Sequence, residues 1–172
     1  MIHDQITSRL EQAFSQHGFA EPSVAELKIE AGVSLRTLYR HYPSKESMVI
    51  GALQHRHSRY LRFLADGEPD PGKESIAHLF LRLTAWMKKD APNGCMSMSA
   101  LVAFPSNALI HDLVKHHKEE MVEVMARRSG REDLARELLL IHEGASATWP
   151  LLGMQAIHSA EKTTLLLICG EN

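Results

Sequence analysis

Cysteine is scarce in this chain: Cys95 and Cys169 are the only two in 172 residues. Two thiols build neither a disulfide framework nor a zinc ribbon. Long apolar runs are missing as well. Nothing approaches the roughly 18–20 residues that a membrane-spanning helix needs. The opening MIHDQITSRL lacks the charged-then-apolar layout of a secretory signal. These absences lead us to expect a soluble, cytoplasmic protein. Strong net charge is also lacking. The formal net is −2, so a nucleic-acid site has to be a local patch and not a global field. Residues 1–65 carry 8 Lys and Arg against 6 Asp and Glu, a net of +2, and residues 66–172 carry 11 against 15, a net of −4.

Catalytic signatures are absent too. The chain has no phosphate-cradling glycine loop, nucleophile elbow or zinc-hydrolase motif. GCMSMS (94–99) offers Cys and Ser without a placed base. An enzyme is not expected, and no cofactor is called for. The eleven histidines contain no i, i+4 pair of the kind that holds zinc. His55 and His57 fall on different helical faces, and the adjacent His116 and His117 diverge. His111, His142 and His158 can meet only through the fold, so no metal site is assigned. Strand-like alternation, internal repeats and low-complexity segments are likewise missing.

What remains is helical periodicity. Ile6, Leu10, Ala13 and Phe14 share one helical face, and Gly18 is a natural stop. Ser23 and Glu26 have the spacing of a capping box. Val24, Leu27 and Ala31 form a short face that Gly32 ends. Ser34 caps a helix that runs to Tyr42 and stops before Pro43. Ser44 opens a longer helix with a stripe of Val49, Leu53, Tyr60 and Leu64. The segment 65–75, with two prolines and two glycines, is the clearest break. Ile76, Leu79, Phe80, Leu83 and Met87 mark the next helix. A loop at 90–95 and a short helix over 96–103 follow. Ile110, Leu113, Val114, Met121, Val124 and Met125 mark a long helix ending near Gly130. Residues 131–157 read as one helix kinked at Pro150, and a last short helix covers about 159–169. The fold class is all-α, with about nine helices.

One stretch stands out: SLRTLYRHYPSKE, residues 34–46. Two short helices joined at Gly32 have the layout of a helix-turn-helix, whose second helix enters the major groove. Leu38 and Tyr42 lie i, i+4 and can pack inward, which turns Arg36, Thr37, Tyr39 and Arg40 outward. Arginines read guanine edges or hold phosphates, threonine meets a thymine methyl or a phosphate, and tyrosine hydroxyls reach phosphates. Lys45, in the first turn of the next helix, completes a phosphate clamp with the exposed amides there.

VAELKIEAGVSLRTLYRHYPSKESMV resembles the N-terminal signature of the TetR/AcrR family of bacterial transcriptional regulators, densely over about residues 6–50. Ala31-Gly32-Val33-Ser34, Thr37-Leu38-Tyr39, Arg40-His41-Tyr42 and Ser44-Lys45-Glu46 occur in family order without a gap. The resemblance implies a recognition helix from Ser34 to Tyr42, with Leu35, Arg36, Thr37, Tyr39, Arg40 and His41 at positions that touch DNA. It also implies phosphate contacts from Ser23, Val24 and Lys45. Lys28 departs from the family pattern, and its stem can cover apolar surface. Leu35 and Arg36 depart as well and bear on which operator is read. Residues 1–46 are then a DNA-binding domain, and 47–172 a ligand-binding and dimerisation domain. GCM at 94–96 and EGASA at 143–147 are similar to weaker family patterns.

For that second domain the candidates are a methionine- and aromatic-rich set and a late apolar stripe. Trp86, Met87, Met96, Met98, Phe104, Met121, Met125, Trp149 and Met154 suit an adaptable pocket for a small-molecule effector, although any one of them taken singly fits an ordinary core better. Leu134, Leu138, Ile141 and Ala145, with Leu165, Leu166 and Ile168, suit a four-helix bundle across a homodimer. Gly144, Ala145 and Ala147 allow close approach. The main expectation is a dimeric repressor on a palindromic double-stranded operator, released by an effector. The alternatives are a redox- or metal-responsive regulator, with Cys95 at a loop–helix junction as the reactive thiol, and a small-molecule-binding helical protein with a vestigial DNA head.

Overall fold

A computed structural model describes residues 2–170. Among them lie nine α-helices and no strand: α1 (Ile2–His17), α2 (Val24–Ala31), α3 (Leu35–His41), α4 (Lys45–Ala65), α5 (Lys73–Lys89), α6 (Met96–Ala103), α7 (Ala108–Ser129), α8 (Ala135–Leu152) and α9 (Met154–Cys169). A 3-10 turn over Glu132–Leu134 precedes α8. The all-helical class is as the periodicity predicts. No helix among the described residues is long and apolar enough to cross a membrane.

The chain divides into two compact units. The first is Met1–Arg59 with Met96–Val114, and the second is Tyr60–Cys95 with Lys115–Asn172. The first is built on Ile6, Leu10 and Phe14 of α1, Leu27 of α2, Leu38 and Tyr42 around α3, and Val49 and Leu53 of α4. These are the residues the sequence stripes select. Met96, Ala100, Ile110 and Val114 close this core. A buried carboxylate sits beside it. Glu11, 3% exposed, accepts from Arg56 at 3.1 Å and Arg59 at 3.0 Å, and lies 2.6 Å from His55 Nδ1. It ties α1 to α4.

The second core gathers Leu64, Ile76, Leu79, Phe80, Leu83, Trp86, Met87, Met121, Met125, Leu138 and Ile157. Arg128, fully buried, donates to the Leu64 carbonyl, to Ser75 O at 3.1 Å and to Glu68 Oε2 at 3.0 Å. It thereby organises the 65–75 connection from within. Burial pulls the guanidinium below the ordinary arginine range, and Glu68 opposes that shift.

One element differs from expectation. The single kinked helix over 131–157 is in fact two helices. The chain continues past Pro150 for only two residues, then breaks at Gly153 (φ 52°, ψ −131°), a conformation open to glycine. The last helix therefore starts at Met154 and not near 159.

Candidate nucleic-acid interface

Residues 20–45 are fixed by local hydrogen bonds before any packing is considered. Ser23 caps α2, and the capping box closes in both directions: Glu26 N donates to Ser23 Oγ at 3.3 Å, and Ser23 N donates to Glu26 Oε2 at 2.7 Å. The backbone and then the hydroxyl of Ser23 hold the Glu26 carboxyl below its ordinary pKa. Gly32 closes α2 in the left-handed region at φ 67°, with its N–H on Ile29 O and the Val33 N–H on Lys28 O. Arg9 of α1 reaches over this turn to Ala31 O at 3.1 Å. Two residues on, Ser34 caps α3 through Thr37 N at 3.1 Å, and its hydroxyl also meets that of Thr37 at 2.9 Å.

The seven-residue α3 is held from below. Leu38 is wholly buried, and Tyr42, which ends the helix, is 6% exposed. The Tyr42 hydroxyl lies 2.5 Å from Thr7 Oγ1 of α1, and its ring stacks on His3 with centroids 5.5 Å apart. Burial raises the Tyr42 phenol above its ordinary pKa, and the Thr7 contact opposes this. With these two residues inward, Leu35, Arg36, Tyr39 and Arg40 are exposed, and Thr37 and His41 are half-exposed. Ser23 is exposed at the start of α2, with Val24 half-buried beside it. Lys45, in the first turn of α4, places Nζ 3.4 Å from the Ala20 carbonyl. The predicted DNA-facing set therefore sits within one compact unit, on and beside a rigid short helix whose outer face carries two arginines and a tyrosine. Such a surface can hold phosphates and reach base edges.

A family profile described as "Bacterial regulatory proteins, tetR family" matches residues 6–52, which contain most of α1 and all of α2 and α3. Residues 6–52 therefore carry the helix-turn-helix signature of the TetR family. The TetR-family fold extends through the rest of the chain. A TetR-family transcriptional regulator from Streptomyces coelicolor superposes at TM-score 0.79 with 17% identity, over 97% of this chain and 92% of that one. A TetR transcriptional regulator from Legionella pneumophila gives 0.76 with 16% identity, over 93% of each chain. The multidrug binding protein EbrR, in complex with imidazole, gives 0.78 with 18% identity, over 100% of this chain and 97% of that one. At such identities the likeness shows the fold. No curated protein matches the chain. A TetR-family helix-turn-helix is a DNA-binding regulator's head.

The other sequence candidates are distributed as follows. Trp86, Met87, Met121 and Met125 converge in the core of the second unit, with Trp149 packed against it. Met98, exposed, and Phe104, packed on Phe19 with centroids 6.3 Å apart, belong to the first unit. On α8 and α9, Leu138 and Ala145 lie in the second unit's core, and Ile141, Leu165 and Ile168 are packed against it and partly exposed. The same two helices leave Leu140, Leu151, Leu152, Leu166 and Leu167 exposed. Sequence reading named Leu166 alone of these five, because a stripe found by periodicity tracks the buried face.

Sequence reading also missed an aromatic and ionic group around Trp86. Tyr60 and Phe63 pack on its ring at 4.9 and 5.5 Å. The Tyr60 hydroxyl meets His142 Nε2 at 2.7 Å, and burial raises its pKa well above the ordinary phenol value. These residues come from α4, α5 and α8, so no fixed spacing announces them.

Proposed function

We propose that this chain is a TetR-family repressor that binds a palindromic operator as a homodimer and leaves it when a small molecule binds. The observation that carries the reading is the outer face of α3, where Arg36, Tyr39 and Arg40 stand exposed on a helix locked from beneath by Leu38 and Tyr42. Residues 1–46 act as the DNA-binding domain and 47–172 as the effector and dimer domain. Ser23, Val24 and Lys45 take phosphates, and Ser34, Leu35, Thr37, His41 and Tyr42 complete or support the reading surface. The protein acts in the cytoplasm and not as an enzyme.

A dimer follows from the size of the reader. One seven-residue helix spans about two turns and reaches few base pairs, so a twofold pair on a palindrome doubles the contacts. The faces of α8 and α9 support this role, with Leu140, Leu166 and Leu167 exposed and Ile141, Leu165 and Ile168 at their margins. Leu138 and Ala145 back that face from the core. Trp86, Met87, Met121, Met125 and Trp149 are the effector candidates within the second unit, and Met98 and Phe104, in the first unit, are candidates apart from them. A structural relative whose solved form holds imidazole supports a small-molecule effector. An effector releases DNA only through its difference in affinity between the bound and released conformations.

Arg36→Ala and Arg40→Ala are each expected to weaken operator binding by about 1–3 kcal/mol if the arginine makes a bidentate base contact. Fluorescence anisotropy across a salt series reads this. A phosphate-contacting arginine lowers affinity evenly across sequences and flattens the salt slope, and a base-contacting one relaxes specificity. If both variants bind the operator as the parent does, the recognition-helix assignment is wrong.

A further inference from the structure

Gly51 stands inside α4, where a glycine weakens the helix relative to alanine. Its backbone gives no reason for it, since Gly51 is not among the glycines with positive φ. The reason is a neighbouring side chain. A Cβ at Gly51 would come within 2.6 Å of Tyr42 Cε1, 2.8 Å of the Tyr42 hydroxyl oxygen and 3.0 Å of Tyr42 Cζ. Among the described glycines of ordinary φ, Gly51 alone has a side chain in the place of its missing Cβ.

The Tyr42 ring is pinned on its other sides. Thr7, buried on α1, donates to His3 O at 2.9 Å. A hydroxyl carries one hydrogen, so in the 2.5 Å contact Thr7 Oγ1 accepts and the Tyr42 phenol donates. His3, one turn earlier, stacks on the ring. The Tyr42 N–H closes α3 on Leu38 O at 2.8 Å. The residue that ends α3 is thus seated between α1 and α4. A cleft of about 490 Å³, lined in part by His41, Ile50 and Gln54, opens beside the ring. A displaced ring therefore has room to move while the head stays folded.

We propose that Gly51 and Thr7 are positioning residues for operator reading. Gly51 supplies the notch that admits the Tyr42 ring, and Thr7 supplies the acceptor that fixes its hydroxyl. Together they set the angle at which α3 presents Arg36, Tyr39 and Arg40. Both act through Tyr42, and the inference rests on the reading of α3 as the recognition helix given above. A bidentate bond to a base edge tolerates little tilt of the helix that carries it. Attraction to phosphates is long-ranged and carries no sequence information, so it survives a small tilt. A disturbed seat should therefore cost sequence preference and leave binding to random duplex in place.

The intact protein is titrated with the operator recovered by selection and with random duplex of equal length, at one salt concentration. In Gly51→Ala, operator affinity should fall about tenfold, part of the cost of one bidentate base contact. Affinity for random duplex should stay within about twofold of the parent's. The direction is informative, because alanine at an open helical position strengthens the helix. Thr7→Val should lose preference in the same way, and Thr7→Ser should keep most of it. In a Tyr42→Leu background Gly51→Ala should cost nothing further, because the crowding ring is gone. Amide NMR of the free protein locates the change, with shifts expected over residues 35–42 in Gly51→Ala. Unshifted α3 amides overturn the proposal, as does an undiminished operator preference in Gly51→Ala. Equal losses on operator and random duplex also overturn it, since a merely structural role produces them. A parent that prefers no sequence at all overturns the recognition-helix reading and the proposal with it.

Discussion

Arg128→Ala is expected to lower unfolding stability by about 3–5 kcal/mol, the usual cost of removing one partner from a buried ion pair. The guanidinium is the largest fully buried side chain. Its loss leaves the Leu64 carbonyl at the end of α4 without this donor, takes a second donor from the Ser75 carbonyl and leaves Glu68 with Arg127 as its charged partner. A cavity adds to that cost. Both tryptophans, Trp86 and Trp149, belong to the same unit, so urea unfolding followed by tryptophan fluorescence reports on it directly. Arg128→Lys keeps the charge but replaces a planar fork, whose two terminal nitrogens reach separate acceptors, with a single nitrogen, and should fall between. A loss under about 1 kcal/mol would mean that Arg128 behaves as a surface arginine does.

Glu11→Ala should be of similar size, about 3–5 kcal/mol, and should act on the DNA head. The carboxylate is shared by Arg56, Arg59 and His55 of α4. Without it, Arg56, Arg59 and His55 lose the carboxylate that draws them onto α1. Hydrogen exchange is the suitable readout, since this unit has no tryptophan. Backbone amides of α1 around Leu10 and Phe14 should lose protection, and operator affinity should fall with them because α1 supports the Tyr42 end of α3 through Thr7. Unchanged protection in α1 would show that the ion cluster is incidental.

How much of this was legible in the sequence depends on the range of each interaction. The helix-turn-helix could be read because its determinants are short-range. Ser23 with Glu26, Gly32, and Ser34 with Thr37 each act within three or four residues. The inward pair Leu38 and Tyr42 also followed from helical spacing alone. Residues 131–157 were misjudged because periodicity continued through Pro150 and was given more weight than the glycine three residues later. Gly153 ends the helix as Gly18 and Gly32 end theirs. Glu11 and Arg128 were invisible. Each sits among polar neighbours on a helix, and its partners lie 44 to 64 residues away along the chain. The ion pair of Lys118 on α7 with Glu143 on α8 was hidden in the same way. Cys95 was picked out from its loop–helix junction, but the Lys118 ammonium 3.6 Å from its sulfur could not be inferred.

The central claim is that residues 34–45 read a palindromic operator as part of a dimer. The most direct measurement selects bound sequences from a random duplex pool at low and moderate salt, with the mass of the bound species determined in parallel. The account predicts an inverted-repeat consensus with half-sites one helical turn apart or a multiple of it, recovered by a dimer whose affinity falls steeply with salt. Intact protein that enriches no sequence at either salt, with no salt-dependent binding, would contradict it.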